Sequence, residues 1–134
     1  MRYQRAESPL TLAEPTAVQR FFAGCFANCD PARENLWIAH LDHQSRCVHL
    51  SRHGGDDAGA SLPLRSIIVD VAAHGSAAIL MAHNHPSGDE RPSHSDCRAT
   101  RRLATAAEAL DCKLLDHFIY SGGKVASFHQ MGLL

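Results

Sequence analysis

Between Met81 and Asp96 the chain reads MAHNHPSGDERPSHSD. His83 and His85 stand two apart, seven residues separate His85 from Ser93, and Asp96 follows three positions later. The preceding run, Ala77 to Ala82, is continuously apolar, as a buried strand is. Positions two apart on a strand share a face, so the two imidazoles converge. Pro86, Gly88 and Pro92 then form a turn that returns the chain with Asp96 at a helix start. Two imidazole nitrogens, a carboxylate oxygen and an open fourth position make a catalytic zinc site. Zinc held in this way lowers the pKa of a bound water from about 15.7 toward about 7, making hydroxide available at neutral pH. Plainer readings stand beside this one. Ser93-x-x-Asp96 is also a capping box, which needs no metal, and His-x-His pairs arise without one. His83-Asn84-His85 spells HNH, but the ββα-metal unit of that nuclease class does not surround it.

A hydrolytic site also needs a general base close to the bound water. The acidic candidates are Glu34, Asp89, Glu90, Glu14, Asp116 and Asp70, and periodicity alone does not choose among them. Asp89 and Glu90 fall in the turn itself. Glu34 opens the strand Leu36 to Leu41, which can lie beside the metal strand and aim a carboxylate at the water.

The elements that must position these groups follow from apolar spacing. Glu14-Pro15 opens a first helix, with Val18, Phe21, Phe22, Cys25 and Phe26 on one stripe, and Asn28 to Arg33 ends it. Leu36 to Leu41 is a strand with Leu36, Ile38 and His40 on one side and Trp37, Ala39 and Leu41 on the other. A turn at Asp42 to Ser45 leads into a strand from Arg46 to Ser51, giving an antiparallel hairpin. His53 to Gly59 reads as a loop and Ala60 to Leu62 as a brief strand. A second helix runs from Pro63 to His74, closed by Gly75. The metal strand spans Ala77 to His83. A third helix spans Ser93 to about Ala109, with Cys97, Leu103, Ala104, Ala107 and Leu110 inward. Lys113 to Tyr120 and Lys124 to Phe128 form a final hairpin about Ser121-Gly122-Gly123. The expectation is an α/β fold, a mixed sheet of five or six strands flanked by three helices.

The 134 residues suffice for one domain, expected from residue 11 onward with residues 1 to 10 as an arm. A formal charge of −1 argues against a nucleic-acid partner, and Arg98, Arg101 and Arg102 read as the wet face of a helix. Five cysteines without a CxxC pair point to reduced thiols and a cytoplasmic location. Cys25 and Cys29 sit at helical i, i+4 spacing but read as small buried hydrophobes. No signal peptide and no long apolar run is present, so no membrane insertion is expected. Of the ten histidines, His40, His43, His49, His53, His74, His94 and His129 lack ligand spacing and read as surface or loop residues.

The segments His83-Asn84-His85-Pro86-Ser87-Gly88-Asp89 and Pro92-Ser93-His94-Ser95-Asp96 resemble the RadC branch of the JAB/MPN (JAMM) metalloproteases. The likeness continues through Thr100-Arg101-Arg102-Leu103, Leu115-Asp116-His117 and Ser127-Phe128, and reaches Gly132-Leu133-Leu134. It implies a cytidine-deaminase-like fold, zinc (Zn2+) on His83, His85 and Asp96, Glu34 as general acid/base, and Ser93 as a donor to the tetrahedral oxyanion. It implies hydrolysis of a peptide or isopeptide bond in a protein or peptide substrate. Asp116 and His117 match a family feature; they either support the ligands from behind or make a strand-end hydrogen bond. Three departures stand out, one being that the helix after the motif begins Ser93-His94-Ser95-Asp96 where the family often has Arg-Glu in the middle, with no ligand lost. The helix-hairpin-helix segment usual at the family's N-terminus is absent from these residues, and the usual His-Pro-Arg-Glu reads Leu62-Pro63-Leu64-Arg65. The family's historical association with DNA repair has no direct support in these residues. A metal-stabilised interaction module without turnover is the alternative. A zinc nucleobase deaminase shares the fold, but its His-x-Glu and Pro-Cys-x-x-Cys signatures are missing.

Overall fold

A computed structural model describes residues 11–54 and 62–134. The elements are α1 (Pro15–Phe26), β1 (Asn35–Leu41), β2 (Cys47–Gly54), α2 (Leu64–His74), β3 (Ala78–Asn84), α3 (His94–Glu108), β4 (Lys113–Ser121) and β5 (Lys124–Ser127). Five strands form one sheet in the order β2-β1-β3-β4-β5. Every neighbouring pair is antiparallel except β3 and β4, which are parallel. A parallel pair needs a crossover, and α3 supplies it. The α/β expectation with a mixed sheet and three helices therefore holds for the described residues. The arm at residues 1–10 lies outside them, as does the strand expected over residues 60–62 except Leu62, which is not in a strand.

The period of two along each strand sorts the core into two layers. Trp37, Ala39 and Leu41 of β1 join Leu80 and Ala82 of β3 and Phe118 of β4 against Val18, Phe22 and Cys25 of α1. The alternate residues Ile38, Ile79 and Met81 pack against Ile67 and Val71 of α2 and Leu103 and Ala107 of α3. The sheet is thus covered on both faces, which is why the apolar run of β3 carries no polar alternation until His83. Each fully buried large side chain in these layers contributes about 1.5–3 kcal/mol relative to its exposed state.

Local chemistry sets the helix ends that matter. Gly75 closes α2 at φ 57° and ψ 41°, its N–H turned back to Ala72 and Val71 carbonyls. Ser93 caps α3 in a full capping box: its Oγ accepts from the Asp96 N–H and the Asp96 side chain accepts from the Ser93 N–H.

Several boundaries differ from the sequence expectation. β2 runs on to Gly54, because His53 and Gly54 pair with Leu36 and Asn35 at the start of β1. α3 ends at Glu108, so Leu110 leaves the helical phase and is exposed, not inward, ahead of Asp111 at φ 56°. Cys97 is half-buried. The histidine expectation needs the larger correction. His40 is completely buried on β1, and His49 and His53 are half-buried on β2. His43, His74, His94 and His129 are exposed.

Candidate metal centre

His83 is the penultimate residue of β3, and His85 follows one residue after the strand ends. The backbone N–H of His85 donates to the Tyr120 carbonyl, and the Ser121 hydroxyl donates to the His85 carbonyl. These bonds extend the β3–β4 pairing past Asn84 and keep both imidazoles on one side. Their Nε2 atoms are 2.9 Å apart. Asp96, three residues into the cap of α3, brings Oδ2 to 3.2 Å from His85 Nε2 and Oδ1 to 3.6 Å from His83 Nε2. A tetrahedral ion with ligands at about 2.0–2.1 Å places its donor atoms roughly 3.3 Å from one another. The three observed separations bracket that edge length, so the residues fit a zinc-type ion.

The ring nitrogens are also oriented for it. His85 Nδ1 faces the Asp89 carbonyl at 2.8 Å, so Nδ1 donates there and Nε2 keeps its lone pair. His83 Nδ1 lies 2.6 Å from His117 Nε2, and His117 Nδ1 lies 2.8 Å from Thr100 Oγ1. When His83 Nε2 is a ligand, its proton sits on Nδ1 and points at His117. That forces the His117 proton onto Nδ1, toward Thr100. Both His117 and Thr100 are buried.

Electrostatics follow the same layout. Burial pushes the His83 pKa down to about 4, and burial also holds fully enclosed His117 well below its ordinary value. Asp96 raises the pKa of His85 by hydrogen bonding. For Asp96 itself, burial pushes the pKa up, but the hydrogen bonds from His85 and Ser93 prevail and hold the carboxyl well below its usual range.

Glu34 immediately precedes β1 and comes within 3.9 Å of His83 Nε2 through Oε2. Donor atoms of Glu34, His83 and His85 all lie within 4.8 Å of one another. What holds Glu34 here is Asn84, a residue that sequence reasoning passed over. Asn84 Oδ1 accepts from the Asn35 N–H at 2.7 Å, and Asn84 Nδ2 donates to the Arg33 carbonyl at 2.8 Å. The side chain between the two histidines thus grips the peptide groups on both sides of Glu34. Gly54 lies beside this segment, where a Cβ would come 3.2 Å from the Glu34 carbonyl.

The other acidic candidates are elsewhere. Asp89 pairs with Arg91 at 2.7 Å, Glu90 lies 4.0 Å from Lys124, Glu14 stands at the N-cap position of α1, and Asp70 lies on α2. Asp116 and His117 part company. Asp116 accepts from the N–H groups of His117 and His129 and from Ser127 Oγ, bracing the C-terminal turn, whereas His117 backs His83. Thr100 was also missed, although it stands four residues after Asp96 on the same face of α3.

A groove of about 710 Å³ opens onto His85, bordered by α1 residues Gln19 and Ala23 and by the β4–β5 turn at Gly122. Among the described residues, no helix is long and apolar enough to cross a membrane.

The RadC-like JAB domain family matches residues 12–133. A UPF0758 protein of Bordetella petrii is 37% identical over 126 residues, covering 92% of this chain and 54% of that protein. One of Vibrio atlanticus is 40% identical over 105 residues, covering 77% and 46%, and one of Aliivibrio fischeri is 33% identical over 132 residues, covering 97% and 58%. The chain therefore spans about half the length of these curated relatives. The five-stranded mixed sheet with three helices is consistent with the JAB/MPN fold. With a match that takes in every element of the sheet and all the residues of the candidate centre, the chain belongs to the RadC-like JAB domain family.

Proposed function

We propose that this chain is a zinc-dependent hydrolase of JAMM type acting on a peptide or isopeptide bond. The observation that carries the reading is the convergence of His83, His85 and Asp96 at tetrahedral spacing with the Glu34 carboxylate 3.9 Å from His83 Nε2. His83, His85 and Asp96 would hold zinc, which when bound supplies Lewis-acid polarisation of the scissile carbonyl and acidifies water. Asp96 suits the ligand role over Glu34: it lies nearer His83 Nε2, and the capping box fixes its orientation. Glu34, with a side chain 28% exposed beside His83 Nε2, would take a proton from water and return it to the leaving amine. Ser93 Oγ accepts from the Asp96 N–H, which leaves its own hydrogen available to donate to a developing oxyanion. The groove beside His85 is of a size to hold a short extended peptide.

A metal-stabilised interaction module without turnover is the second reading, favoured by the participation of Ser93 and Asp96 in an ordinary helix cap. Screening peptide and isopeptide substrates with wild type beside Glu34→Gln separates the two. Turnover in wild type that disappears in Glu34→Gln at equal zinc content supports the hydrolase. Zinc bound equally by both proteins, with no turnover in either, favours the module. A zinc stoichiometry unchanged between wild type and a His83→Ala, His85→Ala double variant would sink the ligand assignment.

A further inference from the structure

Four residues along β1 from the pairing of Leu36 with His83, a second group of histidines gathers at the other end of the strand. At about 3.4 Å per residue the two groups are roughly 14 Å apart. His40 on β1 pairs directly across from His49 on β2, and Asp70 and His74 present themselves one turn apart on α2. The donor atoms of His40, His49 and Asp70 lie within 4.8 Å of one another. His49 Nε2 is 3.7 Å from Asp70 Oδ2, and the His74 ring stacks on His49 with centroids 3.9 Å apart.

The telling atom is on His40, whose side chain is completely enclosed. Its Nδ1 is 2.7 Å from Ser76 Oγ, while its Nε2 is buried without a hydrogen-bond partner. Folded proteins rarely leave such an atom unmatched, because it forfeits its hydration and gains nothing in return. Ser76 can accept from Nδ1–H, which leaves the Nε2 lone pair bare, the arrangement in which a second hydrogen bond prepares an imidazole to ligate. His49 and Asp70, with side chains 30% and 29% exposed, provide a route from solvent to that nitrogen and the freedom to close on an ion.

We propose that His40, His49 and Asp70 form a second metal site, for a divalent cation of zinc type that accepts two imidazole nitrogens and one carboxylate oxygen. The donor set excludes calcium and magnesium, which take oxygen ligands, and matches zinc with a fourth position for water. His40 is a rigid buried anchor, and the ion ties the β1–β2 hairpin to α2. Burial keeps the His40 pKa down at about 4, so no proton competes for this nitrogen at neutral pH. The site is independent of the hydrolytic reading, and either stands if the other fails.

The test is a count of bound ions in the full chain, with zinc or cobalt as the probe. In a His83→Ala, His85→Ala background, calorimetric titration is expected to show one ion per chain, and cobalt the visible bands of a tetrahedral site. Adding His49→Ala or Asp70→Asn, at half-exposed positions, is expected to weaken that binding at least tenfold. Should the background variant fail to fold, wild type is expected to bind two ions, and His49→Ala with Asp70→Asn only one. No ion in a folded background variant overturns the proposal. Ion binding in wild type, whether one ion or two, that His49→Ala with Asp70→Asn leaves undiminished does so equally.

Discussion

Replacing Asn84 with alanine should separate the positioning of Glu34 from the binding of metal. Asn84→Ala removes two hydrogen bonds of 2.7 and 2.8 Å, each contributing about 1 kcal/mol net. It also strands the N–H of Asn35, a residue only 3% exposed, at a further cost of about 1–3 kcal/mol. The Arg33 carbonyl keeps a weaker contact from Asn35 Nδ2 at 3.3 Å, so only one group is orphaned. The expected loss is about 3 kcal/mol. With a urea dependence of about 1.5 kcal/mol/M this lowers the unfolding midpoint by about 2 M. The same change frees the peptide groups flanking Glu34, and a shift of about 1 Å in a reacting group costs on the order of 100-fold in rate. Zinc content should not change, because the Asn84 side chain bonds to backbone groups of Arg33 and Asn35 and not to the three proposed ligands. Urea denaturation, metal analysis and turnover on one sample of Asn84→Ala measure all three. A midpoint within about 0.3 M of wild type, or a loss of zinc larger than the loss of turnover, would refute the assignment of Asn84 as the grip on Glu34.

Other outcomes follow from the same contacts. Thr100→Val leaves the His117 Nδ1–H without its acceptor when His83 is a ligand, so zinc affinity should fall about tenfold with little change in shape, measured by competition with a chelating dye. Ser93→Ala should cost about 1 kcal/mol of stability through the lost cap and, beyond that, about 100-fold in turnover if its hydroxyl serves the oxyanion. Acid should destabilise the chelator-treated chain through its buried histidines. His40 has a folded pKa of about 4 against 6.5 unfolded, so the unfolded chain takes the proton first. Stability is then present above pH about 6.5 and falls as pH drops toward about 4, by roughly 3 kcal/mol for this residue. His83 acts in the same direction, while His85, raised by Asp96, contributes stability below pH about 6.5 that is lost as pH rises through its folded value. Urea midpoints at pH 7 and pH 4.5 measure the balance, and a higher midpoint at pH 4.5 would contradict it.

Much of this arrangement is legible from local pattern. The i, i+2 spacing of His83 and His85 after an apolar run places both imidazoles on one side, because strand alternation is a property of the backbone alone. Ser93 and Asp96 declare a helix start, and the stripes of α1 and α2 follow from the 3.6-residue period. Such features need only neighbours in sequence, and short-range geometry settles them. Leu110 shows the limit even there: the apolar spacing continues, but the helix stops at Glu108.

Contacts across the sheet could not be read in this way. Asn84 reaches Asn35 across 49 positions and Arg33 across 51, and no local period announces that β1 lies antiparallel beside β3. Only that pairing brings Glu34 to His83. Likewise His117 backs His83 because β4 lies parallel to β3, with α3 crossing between them and presenting Thr100. His40 looked like a solvated residue because its partners His49 and Asp70 come from a neighbouring strand and a separate helix. Sequence alone determined the candidate ligand types and their local phase. Tertiary structure decided which carboxylate meets the histidines, since strand order is set by burial summed over the whole chain, and not by any one segment.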